Sequence, residues 1–256
     1  MVASGRETTV PESPSPAEFG FVFSSSRGRA DQNPYVDKIR EYHPWALPTD
    51  EGEELRGEWR EALGLEPGAP LLLEIGPGNG FFFREVKQRF PEAGLVGLEI
   101  RFKRVWLTAR KALNQGLNQF RVVHHHAAHL PRLFAPGELD CVFANHPDPW
   151  PKDRHHKHRL LNEHFRTNLA TCLADGGEFW LKSDFADYGP LARGLFGTEG
   201  WEDIAFSPDL HRGNVPLATQ APKGARFWAA DLVTNYEQKH IDMGSRILVG
   251  GWRKLA

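Results

Sequence analysis

Between Leu71 and Lys182 the chain alternates short apolar runs with longer amphipathic stretches, and that alternation excludes most architectures before any single residue is considered. Leu71–Ile75, residues 95–100, Phe120–His124, Leu139–Asn145 and residues 178–182 each read as a buried strand. After the first two of these, apolar residues recur at helical spacing as far as Phe90 and again from about Lys103 to Asn114. They do so once more over residues 158–174, where Asp175-Gly176-Gly177 stops the helix. Strands separated by helices pair in parallel, through right-handed crossovers that lay helices on both faces. A further helix is predicted over residues 51–65, ended by Pro67-Gly68. Past Trp201 the pattern is irregular, and residues 246–252 read as a last, edge-forming strand.

A chain of 256 residues has room for one such α/β domain with appendages. The domain is predicted over residues 51–256. Residues 1–18 are small, polar and proline-rich and read as a disordered tail. Residues 19–50 mix aromatics with Arg27, Arg29, Lys38 and Arg40, which suits either an arm lying on the domain or a mobile extension. Cys141 and Cys172 are far apart and outside any C-x-x-C pair, so both are expected as core thiols in a reducing cytoplasm. No apolar run is long enough to span a bilayer, and the N-terminus lacks the basic-then-apolar layout of a signal peptide. The oligomeric state, monomer or homodimer, is left open.

Where the first strand meets the first helix, the chain reads Glu74-Ile75-Gly76-Pro77-Gly78-Asn79-Gly80. Glycines there let the backbone approach a ligand closely, and the carboxyl ends of the strands are where ligands collect in open α/β sheets. Glu99 closes the second strand, where a carboxylate can accept hydrogen bonds from the ribose hydroxyls of a nucleoside cofactor. These features alone fit both a nicotinamide dinucleotide and S-adenosylmethionine. The spacing Gly76, Gly78, Gly80, with Phe83 where a dinucleotide fingerprint places a later glycine, leans toward the second.

The fourth strand leads directly into Asn145-His146-Pro147-Asp148-Pro149-Trp150-Pro151-Lys152, at the same carboxyl edge. Each of its three prolines fixes a φ angle, which stiffens the loop around Asp148 and Trp150. Residues 152–159 then hold two Lys, two Arg, three His and one Asp. The net charge of −2 does not favour nucleic-acid binding, but a dense basic segment beside a cofactor edge does.

These strings resemble the bacterial tRNA (guanine-N7)-methyltransferases, whose fourth-strand loop reads DPWPK followed by R-H-x-K-x-R-L. Here the string is Asp148-Pro149-Trp150-Pro151-Lys152 with Arg154, His155, Lys157, Arg159 and Leu160. Further matches are the glycine loop, Glu99-Ile100, Lys182-x-Asp184 and Thr234-x-Tyr236-Glu237. The resemblance implies a Rossmann-like class I methyltransferase with a mostly parallel seven-stranded sheet and an antiparallel C-terminal edge strand. It implies S-adenosylmethionine as cofactor and tRNA as partner, with methyl transfer to a variable-loop guanine. It places Glu74, Gly76, Gly78, Gly80, Glu99 and Asp148 at the cofactor. Lys152, Arg154, Lys157, Arg159, Asp184, Thr234, Tyr236 and Glu237 fall on the tRNA side. Asp148 is the catalytic expectation.

One position departs from the family. Its acidic residue at the end of the third strand, near the cofactor's adenine, is His126 here. No metal is expected within the histidine-rich residues 124–129, because adjacent imidazoles on a strand end point to alternating faces and no Cys or carboxylate completes a set. Three places invite other readings from sequence. Thr234-x-x-Glu237 is also a capping box, Lys182 and Asp184 could pair at the surface, and Trp150 could stack on a base or plug the core. Guanine N7 carries a lone pair and no proton, so a guanine-N7 enzyme needs placement and charge stabilisation rather than a base. The alternatives are a methyltransferase acting on another RNA base atom and a catalytically silent RNA-binding relative.

Overall fold

The alternation in the sequence becomes an eight-stranded sheet in the computed structural model, which describes residues 33–212 and 220–256. The predicted tail, and the predicted arm as far as residue 32, lie outside the described residues. The strands are β1 (Ala46–Leu47), β2 (Leu71–Ile75), β3 (Gly94–Glu99), β4 (Phe120–His124), β5 (Leu139–Asn145), β6 (Leu173–Ser183), β7 (Trp201–Ser207) and β8 (Leu248–Lys254). They lie in the order β1-β4-β3-β2-β5-β6-β8-β7. Every pairing from β1 across to β6 is parallel, whereas β8 runs antiparallel to β6 and β7 antiparallel to β8.

Continuous apolar strands such as Leu71-Leu72-Leu73 arise because both faces of a parallel sheet are covered. Successive side chains point to opposite faces, so each strand feeds two cores. Leu71, Leu73, Val96, Leu98 and Val123 join one core, and Leu72, Leu95, Phe120 and Val122 join the other. The helices are α1 (Pro34–Arg40), α2 (Thr49–Glu54), α3 (Trp59–Ala62), α4 (Phe81–Arg89), α5 (Phe102–Asn114), α6 (Leu130–Leu133), α7 (Glu163–Cys172), α8 (Tyr188–Phe196) and α9 (Asn235–Asp242). Phe83 and Val86 of α4 and Val105 and Ala109 of α5 cover the second face. Leu130, Phe165, Leu169 and Phe196, from α6, α7 and α8, cover the first.

Several boundaries differ from the sequence expectation, each for a local reason. The helix predicted over residues 51–65 is two short helices, because the buried Glu138 carboxylate takes the amides of Gly57 (3.0 Å) and Trp59 (3.2 Å) and turns the chain between them. The helix predicted from residue 158 starts at Glu163, where the Asn162 side chain accepts from Phe165 N at 2.9 Å. Residues Asp153–His158 form a 3-10 segment instead. The sheet gains an eighth strand from the two-residue β1, which the Trp45-Ala46-Leu47 stretch was too short to announce. Its antiparallel edge is two strands wide, with β8 inside and β7 outermost.

Candidate active site

The glycine loop joins β2 to α4 at the carboxyl edge of the sheet. Gly76, Gly78 and Gly80 have φ angles of 71°, 57° and 71°, a region that a Cβ atom makes costly. A Cβ on Gly80 would also stand 2.9 Å from Thr108 Cγ2 and 3.1 Å from Thr108 Cα, so α4 could not begin so close to α5. A Cβ on Gly76 would meet nothing within 4 Å, which leaves the ligand side of the loop open. The loop is tied from behind by Gly76 N to Leu98 O (2.8 Å), Gly78 N to Glu99 Oε2 (3.3 Å) and Thr108 Oγ1 to Gly78 O (3.2 Å).

Two carboxylates border this loop. Glu99 accepts from the amides of Gly78 and Arg101, and burial raises its carboxyl above the ordinary range against their pull. Glu74 is 2% exposed, and burial pushes its carboxyl up to about 8 in spite of the neighbouring Asn145 side chain and the Lys182 ammonium. Glu74 Oε2 and Asn145 Nδ2 are both buried without a hydrogen-bond partner among the described residues. Buried polar groups in native proteins are normally paired, so an acceptor and a donor left over at a cofactor loop mark a place that a polar ligand completes. Orphaned groups, open glycine backbone and Glu99 together fit a nucleoside cofactor that carries a charged amino-acid tail.

The loop after β5 is held tightly although it is exposed. His146 and Trp150 take φ angles of 49° and 41°, unusual for residues with side chains. Tyr188 of α8 donates its hydroxyl to Asp148 O at 2.6 Å, Arg159 Nε donates to Pro149 O at 3.0 Å, and His146 N donates to Lys182 O at 2.8 Å. Burial pushes the Tyr188 phenol up to about 12, so it stays a donor. With its backbone held, Asp148 points an exposed carboxylate outward, and that carboxylate makes no hydrogen bond among the described residues. Trp150 is 36% exposed and lies against His158 (5.2 Å between ring centres) and His155 (5.6 Å), so it is not a core plug.

At the end of β6, Asp184 gathers a second group of side chains. His146 Nδ1 lies 2.9 Å from Asp184 Oδ1, Tyr236 OH donates to both carboxylate oxygens at 3.4 Å, and His240 Nδ1 stands 3.4 Å from Oδ2. Burial would raise the Asp184 carboxyl, but His146 and its neighbours bring it below the ordinary range. Burial would likewise lower the His146 imidazole, but Asp184 and Glu237 hold it above the ordinary range. Behind this group Lys182 and Glu237 form an internal pair at 2.5 Å, 2% and 0% exposed. The surface pairing of Lys182 with Asp184 is therefore replaced by a buried pairing with Glu237. His211 Nε2 donates to the other Glu237 oxygen at 2.8 Å, and Lys182 also donates to Leu232 O at 2.8 Å. Thr234 accepts from Glu237 N at 3.1 Å and caps α9, as the capping-box reading expected. The Glu237 side chain, however, goes inward and not back to the cap. A cleft of about 920 Å³ opens beside Asp184, lined by Ser183, Gly189, Arg193, Phe206 and Arg246 among others.

The remaining predicted residues divide. Lys152, Arg154 and Lys157 are exposed cations beside the loop, whereas Arg159 is half-buried, braces Pro149 and lies 5.4 Å from the Phe185 ring. His126 follows β4, but its Nδ1 accepts from Ala128 N at 3.0 Å, and burial pulls its imidazole down to about 4. A neutral ring with that nitrogen committed does not supply the carboxylate acceptor that the resemblance implies at this position. Among the described residues no group of three or more potential ligands could hold a metal ion, and no helix is long and apolar enough to cross a membrane. His146, Tyr188, His211 and His240 were not anticipated from sequence. Only His146, inside the proline-rich loop, carried a signal.

Comparison with known proteins bears on this arrangement. Residues 68–248 match the model of a family described as "Putative methyltransferase". The tRNA (guanine-N(7)-)-methyltransferase of Geobacillus kaustophilus (strain HTA426) is 30% identical over 212 residues, covering 82% of this chain and 89% of that protein. Its counterpart from Geobacillus thermodenitrificans (strain NG80-2) is 30% identical over 212 residues, covering 82% and 90%. Among solved structures, TrmN from Thermus thermophilus aligns with a TM-score of 0.49 at 19% identity, over 79% of this chain and 49% of that one.

Proposed function

This chain belongs to the tRNA (guanine-N7)-methyltransferase family, and from that membership we infer that it transfers the methyl group of S-adenosylmethionine to N7 of a variable-loop guanine in tRNA. The observation that carries the residue assignments is the placement of the Asp148 loop beside the glycine loop, where Glu74 of β2 and Asn145 of β5 have polar atoms left unpaired among the described residues. When bound, the cofactor supplies an electrophilic methyl group on a sulfonium sulfur. Glu74 and Asn145 hold its amino-acid end, Glu99 its ribose, and the glycine backbone lets it approach. His126 borders the adenine side.

Asp148 is the catalytic residue in this reading. N7 needs no deprotonation, so the protein's work is to fix the purine in line and to offset the positive charge that develops on it. A carboxylate whose backbone is held by Tyr188 and Arg159 suits both tasks, since it can accept from the guanine N–H groups. Asp184, held by His146, Tyr236 and His240, is the second polar contact for the nucleoside, with Tyr236 half-exposed beside it. Lys152, Arg154 and Lys157 bind phosphates. Arg159 acts through the loop that it braces, and Thr234 and Glu237 act through the position of α9. We take residues 51–256 as the methyltransferase domain and residues 19–50 as an arm, of which residues 34–50 belong to the same compact unit as the domain and add β1 to its sheet beside β4. Two buried, unpaired cysteines suit a cytoplasmic enzyme.

The test is incubation with bulk tRNA and labelled S-adenosylmethionine, followed by nucleoside analysis. 7-Methylguanosine is the expected product, and label in any other nucleoside would overturn the assignment. Asp148→Ala should abolish transfer while cofactor affinity stays within severalfold. Near-normal turnover of that variant would remove Asp148 from its role.

A further inference from the structure

The sequence carries 31 Lys and Arg against 33 Asp and Glu, so any cationic surface must come from segregation of charge. α5 shows it most strongly. This helix holds Lys103, Arg104, Arg110 and Lys111 and no acidic residue. Its apolar face is buried through Val105, Ala109 and Ala112, and helical geometry turns the four cations to the opposite half. Lys38 of α1 and Arg84 of α4 extend the patch on either side. None of these six cations has an ion-pair partner among the described residues. The acids on the three helices are Asp37, which faces Arg40 at 3.9 Å, and Glu85.

The cations are held close to one another. Lys38 lies 5.0 Å and Arg110 4.2 Å from the Trp106 ring, and Lys103 lies 5.7 Å from the Tyr35 ring. Lys111 donates to Asn79 O at 3.2 Å and Arg84 to Gly80 O at 2.8 Å, both within the glycine loop. Burial, then Arg84, Arg110 and Arg104, lower the Lys111 ammonium below its ordinary range. Like charges gathered without partners disfavour the free protein, and a polyanion relieves that repulsion while releasing its own counterions.

Position within the fold says which anion. α5 leaves the carboxyl end of β3, and the basic 152–159 run leaves that of β5. Between them stands β2 with the glycine loop. Neighbouring strands are about 4.8 Å apart, so the two basic segments flank the cofactor loop at close range. The cations of α5, at about 1.5 Å per residue, continue the positive surface for roughly 12 Å from Lys103 to Lys111. We propose that the outward face of α5, with Lys38 and Arg84, is a second phosphate-binding surface for the tRNA, on the opposite flank of the glycine loop from the 152–159 run. This rests on the tRNA-methyltransferase reading above.

The experiment compares the wild type with the triple variant Lys103→Gln, Arg104→Gln, Arg110→Gln, which leaves Arg84 and Lys111 at the glycine loop untouched. Methylation of tRNA is followed against KCl concentration, and cofactor binding is measured by calorimetry. The triple variant should raise the KM for tRNA about fivefold or more, with kcat and cofactor affinity unchanged. The plot of log kcat/KM against log salt should become shallower by about 2, at about 0.7–0.9 for each phosphate no longer neutralised. The charge-keeping variant Lys103→Arg, Arg104→Lys, Arg110→Lys should retain the wild-type KM, which separates charge from helix packing. Lys152→Gln with Lys157→Gln serves as reference for the first surface. If the wild type methylates tRNA and the reference variant loses affinity, an unchanged KM and slope in the α5 triple variant overturn the proposal. Inability of the wild type itself to methylate tRNA would instead strike the underlying reading.

Discussion

Replacing Glu74 by Gln should stabilise this protein while weakening its hold on the cofactor. Burial holds the Glu74 carboxyl near 8 against an ordinary value of 4.5. The folded state thus keeps a proton that the unfolded chain releases, and stability falls as the pH rises from about 4.5 to about 8, then levels off. At about 1.36 kcal/mol per pH unit, the full cost above pH 8 is about 5 kcal/mol, against less than about 1 kcal/mol at pH 5. Gln has the shape of the protonated acid and cannot ionise, so it removes the pH-dependent part. With about 2–4 °C of melting temperature per kcal/mol for a domain of this size, the gain over wild type should be roughly 10 °C at pH 8 and small at pH 5. Differential scanning calorimetry without cofactor, at both pH values, reads the effect. Titration with S-adenosylmethionine should show affinity falling at least tenfold, because an amide cannot offer a full charge to the cofactor's ammonium. A melting gain equal at pH 5 and pH 8, or no gain at all, would refute the account of Glu74 as a carboxyl kept for a ligand.

Other perturbations test separate parts of the site. Gly80→Ala meets both a left-handed φ and the backbone of Thr108, so it should lower stability by about 2 kcal/mol and weaken cofactor binding, read by urea denaturation and calorimetry. Glu237→Ala strands the buried Lys182 ammonium and should cost about 3–5 kcal/mol in urea, whereas Lys182→Met with Glu237→Leu should recover most of it. The Glu237 carboxyl is held far below its ordinary range by His146, His211 and Lys182 despite burial, so its contribution is present above pH 4.5 and lost as acid approaches its folded value. The raised His146 imidazole carries the opposite sign: its contribution is complete below pH 6.5 and disappears as the pH passes its folded value, which NMR of the ring nitrogens would locate above 6.5. Tyr188→Phe removes the hydroxyl that holds Asp148 O and should lower kcat severalfold with the cofactor Kd unchanged, about 1 kcal/mol for one hydrogen bond.

The central sheet and both halves of the site were legible in sequence for physical reasons. β2 to β5 are continuous apolar runs because helices bury both their faces, and the glycine loop and proline loop announce themselves through backbone constraint. Glu74 and Asp148 could be named because each sits beside such a constraint. The chain between Trp201 and Ile247 was legible only at the Thr234–Glu237 capping box. β7 has a mostly half-buried pattern with a register shift between Asp203 and Ala205, which erases its alternation. α9 has only Glu237 fully buried, and a buried Glu is the opposite of the signal that marks a core. Lys182 was misplaced for the same reason, since charge suggests surface until its partner from a distant segment is known. His211 and His240 reach the site only through tertiary contact, and no spacing foretells that.

The two-strand antiparallel edge has a consequence for how the chain is made. β6 is complete at Ser183 and β7 at Ser207, yet β8, which lies between them, is not translated until residues 248–254. In the interval β6 presents an open hydrogen-bonding edge, and β7 is a strand with no sheet to join. Both invite pairing with a neighbouring nascent chain, the usual hazard of an unprotected edge. β8 closes the gap in one event: it buries Trp252 against Phe179 and Phe196, and brings Arg253 onto Glu178. Slow synthesis through residues 208–247 should therefore lower the soluble yield more than slow synthesis through the preceding parallel half.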